Sequence, residues 1–238
     1  MAISRVPRLG EILAKLESFY GTQSPRWPID PFEFLVWWHC GYPPSEERCA
    51  RGWSALTAAS AVRPGELLAR RTATLARALE PGGMLPESRA AHLREIARRV
   101  RAEFAGNLAA ALARMPEAAA RKTLRSFHGI GVPGAERILL FAGLAPIAAV
   151  PSNCPYVAVR ISSGREPARY DAVYARAQQW LDSELPGTSA ARQRAYLLLQ
   201  RHGQQICRPA KPQCGKCPVA SQCVYARKRA RPPVQRRQ

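Results

Sequence analysis

The chain is short of acid. Its 238 residues include 17 Asp and Glu against 36 Lys and Arg, a formal charge of +19. A field of that sign attracts polyanions, of which nucleic acid is the first candidate. Part of the excess is also what an Arg-rich, Ala-rich composition gives by itself. No run of eighteen apolar residues is present, which excludes a membrane-spanning helix of ordinary length. The opening MAISRVPRLGEILAKL has no apolar core followed by a small-residue cleavage site. A cytoplasmic location, with no membrane partner, is the expectation. No stretch alternates apolar and polar residues with β-branched enrichment, so no sheet is expected. No internal repeat is found. The cysteine count, seven, is odd, which speaks against a disulfide framework and for a metal site in a reducing compartment.

What is present reads as helix. Apolar residues make up 47% of the chain, enough for a real core. They recur at three and four positions in Leu9–Leu16, Phe32–Trp38, Leu67–Leu79, Ala91–Phe104 and Leu108–Leu112. Proline and glycine clusters at Pro43-Pro44, Pro64-Gly65, Pro81-Gly82-Gly83, Gly131 to Gly134 and Pro186-Gly187 separate these runs. Short helices packed as bundles suit that spacing. The end of the chain, Arg227–Gln238, has six basic residues, two prolines and no acid, and is expected to be disordered.

Four of the cysteines crowd together as Cys207, Cys214, Cys217 and Cys223, spaced C-x6-C-x2-C-x5-C. Four thiolates in so short a span can enclose one metal centre, zinc or a [4Fe–4S] cluster. Structural zinc sites mostly use two knuckles of the C-x2-4-C kind. Here there is one, and a Cys-Pro ending that suits a cubane better. A second segment is Gly129-Ile130-Gly131-Val132-Pro133-Gly134-Ala135. Glycines there let a turn bend tightly and bring bare backbone near a ligand. The amides opening the next helix then face a phosphate. Alone, this pattern is more often a plain turn.

Together and in this order, the two segments resemble the endonuclease III family of helix-hairpin-helix DNA glycosylases, over roughly residues 28–225. The cysteine spacing, the stretch Ala195–Cys207 leading into it, and the hairpin with Ala135 four residues after Gly131 carry the resemblance. It implies an all-α, two-lobed fold: a six-helix barrel over 27–147 ending in the hairpin, an iron–sulfur cluster domain built from 1–26 and 148–225, and a basic tail, 226–238. It implies a [4Fe–4S] cluster on the four cysteines. It implies a monomer on double-stranded DNA in the nucleoid, with Gly129, Ile130, Gly131, Gly134 and Ala135 at the phosphates and Arg208 and Lys211 presented by the cluster loop.

The chemistry of that family is missing where it should stand. The lysine of its bifunctional members falls on Pro133, and its aspartate falls on Pro151 within Val150-Pro151-Ser152-Asn153. No Asp or Glu lies between Glu136 and Glu166. The glutamate that adenine glycosylases carry on the first barrel helix aligns with Trp38, with Glu33 one turn earlier. The expectation is therefore a protein that recognises damaged or distorted DNA, with lyase activity absent and glycosylase activity doubtful. An active monofunctional glycosylase with a non-standard acid is the alternative, and a redox-responsive iron–sulfur DNA binder a weaker one. Trp37 and Trp38, with His39 and Cys40, read as core more readily than as a base-stacking surface. Cys154 reads as a small buried hydrophobe, and His128 as a surface or cap residue.

Overall fold

The computed structural model describes residues 8–230. Among them are thirteen α-helices and no β-strand, apart from an isolated bridge between Tyr42 and Gly83. The chain divides into two compact units, Pro25–Ala145 and the combination of Met1–Ser24 with Pro146–Gln238. The chain crosses between units two residues earlier than 27 and 147, next to Pro25 and Pro146. Helix α1 (Leu9–Tyr20) belongs to the second unit. Leu9, Ile12, Leu13 and Leu16 form its buried stripe, at the expected spacing.

The first unit begins with α2 (Pro31–His39). Asp30 caps it, accepting the Glu33 N–H at 3.0 Å, and Pro31 occupies its first turn. Phe32, Phe34, Leu35, Val36 and Trp37 are all buried, so the helix is apolar on nearly every face and runs through the core. Trp37 is fully buried and Trp38 half-buried, which bears out the core reading for the first of the pair. Helix α3 (Glu46–Ala59) starts on a Ser45 cap. The predicted run Leu67–Leu79 is two helices, α4 (Pro64–Ala69) and α5 (Thr72–Leu79). The Arg94 guanidinium explains the break. It donates to the carbonyls of Leu67 at 3.2 Å and Leu68 at 3.0 Å, and to that of Arg70, and so takes over acceptors that a continuous helix would have used.

Helix α6 (Pro86–Glu103) carries Arg89 into the interior. That guanidinium is 4% exposed and donates to four main-chain carbonyls: Cys40 (2.7 Å), Leu79 (2.9 Å), Gly83 (2.8 Å) and Met84 (2.8 Å). Two glycines press on the same Cys40 carbonyl. A Cβ on either Gly52 or Gly82 would overlap its oxygen. Helices α7 (Leu108–Ala113), α8 (Glu117–Arg125) and α9 (Val132–Phe141) complete the unit.

The second unit continues with α10 (Tyr156–Ser162), α11 (Tyr170–Glu184), α12 (Ser189–Gln205) and α13 (Val224–Ala230). Arg194 on α12 pairs with Glu17 of α1 at 2.7 Å, and the Leu9 N–H meets Glu184 of α11 at 3.2 Å. Helix α13 corrects the expected tail. Residues 226–230 are helical because Ala226 is buried and Lys228 donates to the Ser163 carbonyl at 3.0 Å. The rest of that expectation, residues 231–238, lies outside the described residues.

Filling either glycine under the Cys40 carbonyl should be costly. Gly82→Ala and Gly52→Ala are each expected to destabilise the protein by about 1–3 kcal/mol, the usual range for overpacking. Arg89→Met should cost at least as much, since it strands buried carbonyls. Urea unfolding of the three variants, with Gly10→Ala as an open-space control, measures this.

Candidate nucleic-acid interface and metal centre

Ser126–Gly131 links α8 to α9. Gly129 has φ +71°, the left-handed region that excludes most side chains. A Cβ there would also lie 3.4 Å from the His39 ring and 3.6 Å from the Trp38 indole nitrogen. Ile130 turns inward and is buried, and its N–H donates to the Phe127 carbonyl at 3.2 Å. Gly131 caps α9 with extended backbone and no side chain, and the first N–H of the helical ladder is that of Ala135, bonded to the Gly131 carbonyl at 3.0 Å. The N–H groups of Val132 and Gly134 therefore precede the ladder and remain for an external acceptor. Gly129 and Gly131 are exposed, and Ala135 is fully buried where the helices meet. Of the five hairpin residues singled out in the sequence, Gly129, Ile130 and Gly131 thus lie in the turn and Gly134 and Ala135 in the first turn of α9. Arg121 fastens its two arms, pairing with Glu117 on α8 at 2.6 Å and with the buried Glu136 on α9 at 3.0 Å.

Three histidines surround the entry to this turn, and no spacing in the sequence announces them. The His39 Nε2 lies 3.0 Å from the His128 carbonyl, and the His92 and His128 rings stack with centroids 4.0 Å apart. Burial pushes His39 down to about 4, with the neighbouring His92 adding to the effect and the bond to His128 opposing it. His128 is exposed, as a surface residue should be, but the stack gives it a partner that was not expected.

Pro133 occupies the first turn of α9 and supplies neither an amine nor an N–H. Pro151 is buried, and Ser152 and Asn153 are exposed on a turn closed by the Cys154 N–H to the Pro151 carbonyl at 3.1 Å. Cys154 is buried against Gly203, in keeping with a small apolar role. Of the carboxylates that could stand in for the missing aspartate, Glu136 is committed to Arg121. Glu33 is half-buried, and burial, with the Asp30 carboxylate beside it, holds it above the usual carboxylate range.

The four clustered cysteines line one cavity in the second unit, together with Arg160, His202 and Tyr225. Burial pushes the Cys207 and Cys217 thiols up to about 11 and raises Cys223. Such thiols ionise readily only against a compensating cation. Among the described residues no three His, Cys, Asp or Glu side chains converge on a single ion. A cubane binds its thiolates one per iron, so the donor set is compatible with it. Residues distant in sequence support the cavity. Arg160 donates to the carbonyls of Arg208 (2.8 Å) and Pro209 (2.7 Å) and lies 3.6 Å from the Cys207 sulfur. The His202 Nε2 is 3.6 Å from the Cys217 sulfur, and its Nδ1 is 2.9 Å from the Tyr20 hydroxyl. Arg208 and Lys211 are exposed on the loop that Arg160 holds.

No protein-family model matches the chain, and no curated protein sequence matches it. Solved structures do. An endonuclease III captured as a covalent intermediate with DNA is 17% identical, with a TM-score of 0.71 over 97% of this chain and 100% of the other. A thermostable thymine-DNA glycosylase is 19% identical, with a TM-score of 0.69 over 93% and 97%. The H. pylori 3-methyladenine DNA glycosylase bound to 1,N6-ethenoadenine is 18% identical, with a TM-score of 0.59 over 82% and 96%. The chain has the all-α fold of these helix-hairpin-helix proteins.

The buried His39 has a consequence for acid stability. Its folded value lies below its unfolded one, so the unfolded chain binds more protons between about pH 6.5 and about 4. The stability it contributes is fully present above that window and is lost as pH falls through it, by at most about 1.4 kcal/mol per pH unit. His39→Gln keeps a donor for the His128 carbonyl but cannot titrate. Urea midpoints measured from pH 7 to 4 should fall less steeply in the variant.

Proposed function

We propose that this chain is a base-excision-repair protein of the endonuclease III type that binds damaged or distorted double-stranded DNA. The observation that carries the reading is the hairpin, where exposed Gly129 and Gly131 lead into a helix whose first N–H groups are left for an anion. Two phosphate-facing elements supply affinity: this turn, and the cluster loop with Arg208 and Lys211. The excess of 19 positive charges draws the polyanion in. Cys207, Cys214, Cys217 and Cys223 would hold a [4Fe–4S] cluster, which when bound cross-links the loop that presents those two basic side chains.

Catalysis of the usual kind has no groups to carry it. A Schiff base needs an amine at the hairpin, and Pro133 has none. A carboxylate opposite C1′ typically stabilises the transition state by several kcal/mol, and Pro151 cannot supply one. Recognition without excision is therefore the main reading. The second reading, a monofunctional glycosylase with a non-standard acid, is favoured by one observation: Glu33, half-buried and held above the ordinary carboxylate range.

Purified without oxygen, the protein should carry about four irons per chain and absorb broadly near ~400 nm, as a cubane on four thiolates requires. Cys207→Ser should abolish both. A single zinc in place of iron would refute the cluster.

Binding to a duplex with an abasic site should weaken steeply with salt, with a log–log slope of roughly −4 to −5 if about five phosphates are neutralised. Arg208→Ala or Lys211→Ala should weaken binding to all sequences alike and flatten the slope by about one unit. Borohydride should trap no covalent complex on the same duplex. Base release from duplexes carrying uracil, 8-oxoguanine or alkylated bases, lost in Glu33→Gln, would establish the second reading in place of the first.

A further inference from the structure

The chain has four histidines, and three of them meet at the mouth of the hairpin from three separate elements: His39 from α2, His92 from α6 and His128 from the turn itself. We propose that the stacked His92–His128 pair is a proton-linked anion site that adds a positive charge beside a DNA phosphate held at Gly129–Gly131. This rests on the reading of the hairpin as a phosphate-binding turn.

The three rings do different work. His39 is buried, and the carbonyl it meets can only accept, so its Nε2 carries the proton and donates to His128. It is a neutral post that fixes the residue immediately before Gly129. The other two rings lie face to face, centroids 4.0 Å apart and planes inclined by 26°. His128 is exposed and His92 half-buried, and among the described residues no protein group engages their nitrogens. The rings stack and do not converge, so they form no metal site. One imidazole of a stacked pair can take up a proton while the other stays neutral, whereas two charges at about 4 Å repel.

The charged neighbours agree with a site that waits for a counter-ion. Burial and the adjacent His128 ring hold His92 below the ordinary histidine value, and Glu95, on the same helix, opposes them in part. Arg99, one turn further along α6, is committed elsewhere. It donates to the Ser126 carbonyl and hydroxyl, both at 2.9 Å, and pairs with Glu103 at 3.1 Å. From α2 the groups facing the turn are the neutral His39 and the Trp38 indole. A phosphate at Gly129–Gly131 would lie one residue from His128 and would tip the balance toward protonation. By linkage, binding then takes up a proton and tightens as pH falls, by no more than tenfold per pH unit for one proton. Of the side chains that ordinarily titrate between pH 6 and 7.5, the chain offers only histidines, and the fourth, His202, is buried in the other unit.

The test uses the full, iron-loaded chain and a rhodamine-labelled duplex containing an abasic-site analogue, with anisotropy measured at constant ionic strength from pH 7.5 to 6.0. Affinity should rise by about fivefold over that range, within the one-proton limit. The double variant His92→Gln, His128→Gln should show less than a twofold change over the same range, judged against its own affinity at pH 7.5. Calorimetry of the unaltered protein at pH 6.5, in buffers of different ionisation enthalpy, reads proton uptake directly and does not depend on the variant folding. Net uptake supports the site, and none overturns it. Binding with a flat pH profile, or a pH dependence that survives in the double variant, overturns the proton-linked site and leaves the hairpin reading standing. No binding at any pH overturns both.

Discussion

The first unit is organised around one carbonyl, that of Cys40 at the end of α2. Arg89 donates to it, and Gly52 and Gly82 are kept without side chains by it. Burying a guanidinium is ordinarily expensive unless its donors and its charge are both answered. Here four carbonyls answer the donors. Those of Cys40 and Leu79 close α2 and α5, where the helix dipoles present their negative ends. The charge is thus met by dipoles of fixed direction, and the remaining two carbonyls fix the turn that starts α6. The end of α2 is set against the distant stretch 79–84 by a single side chain. The hairpin at the end of the unit inherits that order through α2, whose His39 holds its entry.

The same device recurs. Arg94 takes carbonyls at the end of α4, Arg99 the Ser126 carbonyl that closes α8, and Arg160 those of Arg208 and Pro209 in the cysteine loop. Part of the basic excess is therefore structural wiring and is not available to a polyanion. That refines the meaning of the net charge: the useful positive surface is carried by exposed residues such as Arg208 and Lys211, whose groups face solvent.

What could be seen in the sequence and what could not follows from this. The stripes of α1 and α6 and the glycine turn at 129–131 are local features, fixed by periodicity and backbone freedom. They were legible, as were the four cysteines, whose spacing alone places them together. The interruption at Arg70–Arg71 was not, because its cause is Arg94 on another helix and no breaker stands there. Nor was α13, since a basic run reads as solvated until the burial of Ala226 is known. The supports of both candidate sites were hidden for the same reason. Arg160 and His202 reach the cysteines, Tyr20 reaches His202, and His39, His92 and His128 reach one another, from positions that share no motif.

The choice of carbonyls as Arg89's partners bears on how such a fold changes over evolutionary time. Every residue type offers the same main-chain oxygen, so the identities at Cys40, Leu79, Gly83 and Met84 are not what Arg89 recognises. Side chains at those positions can be exchanged without asking the arginine to change, provided the backbone keeps its course. A scaffold joined in this way tolerates deep divergence almost everywhere and concentrates its intolerance in one guanidinium and two glycines. Changes elsewhere in the unit can then accumulate on a frame that does not register them.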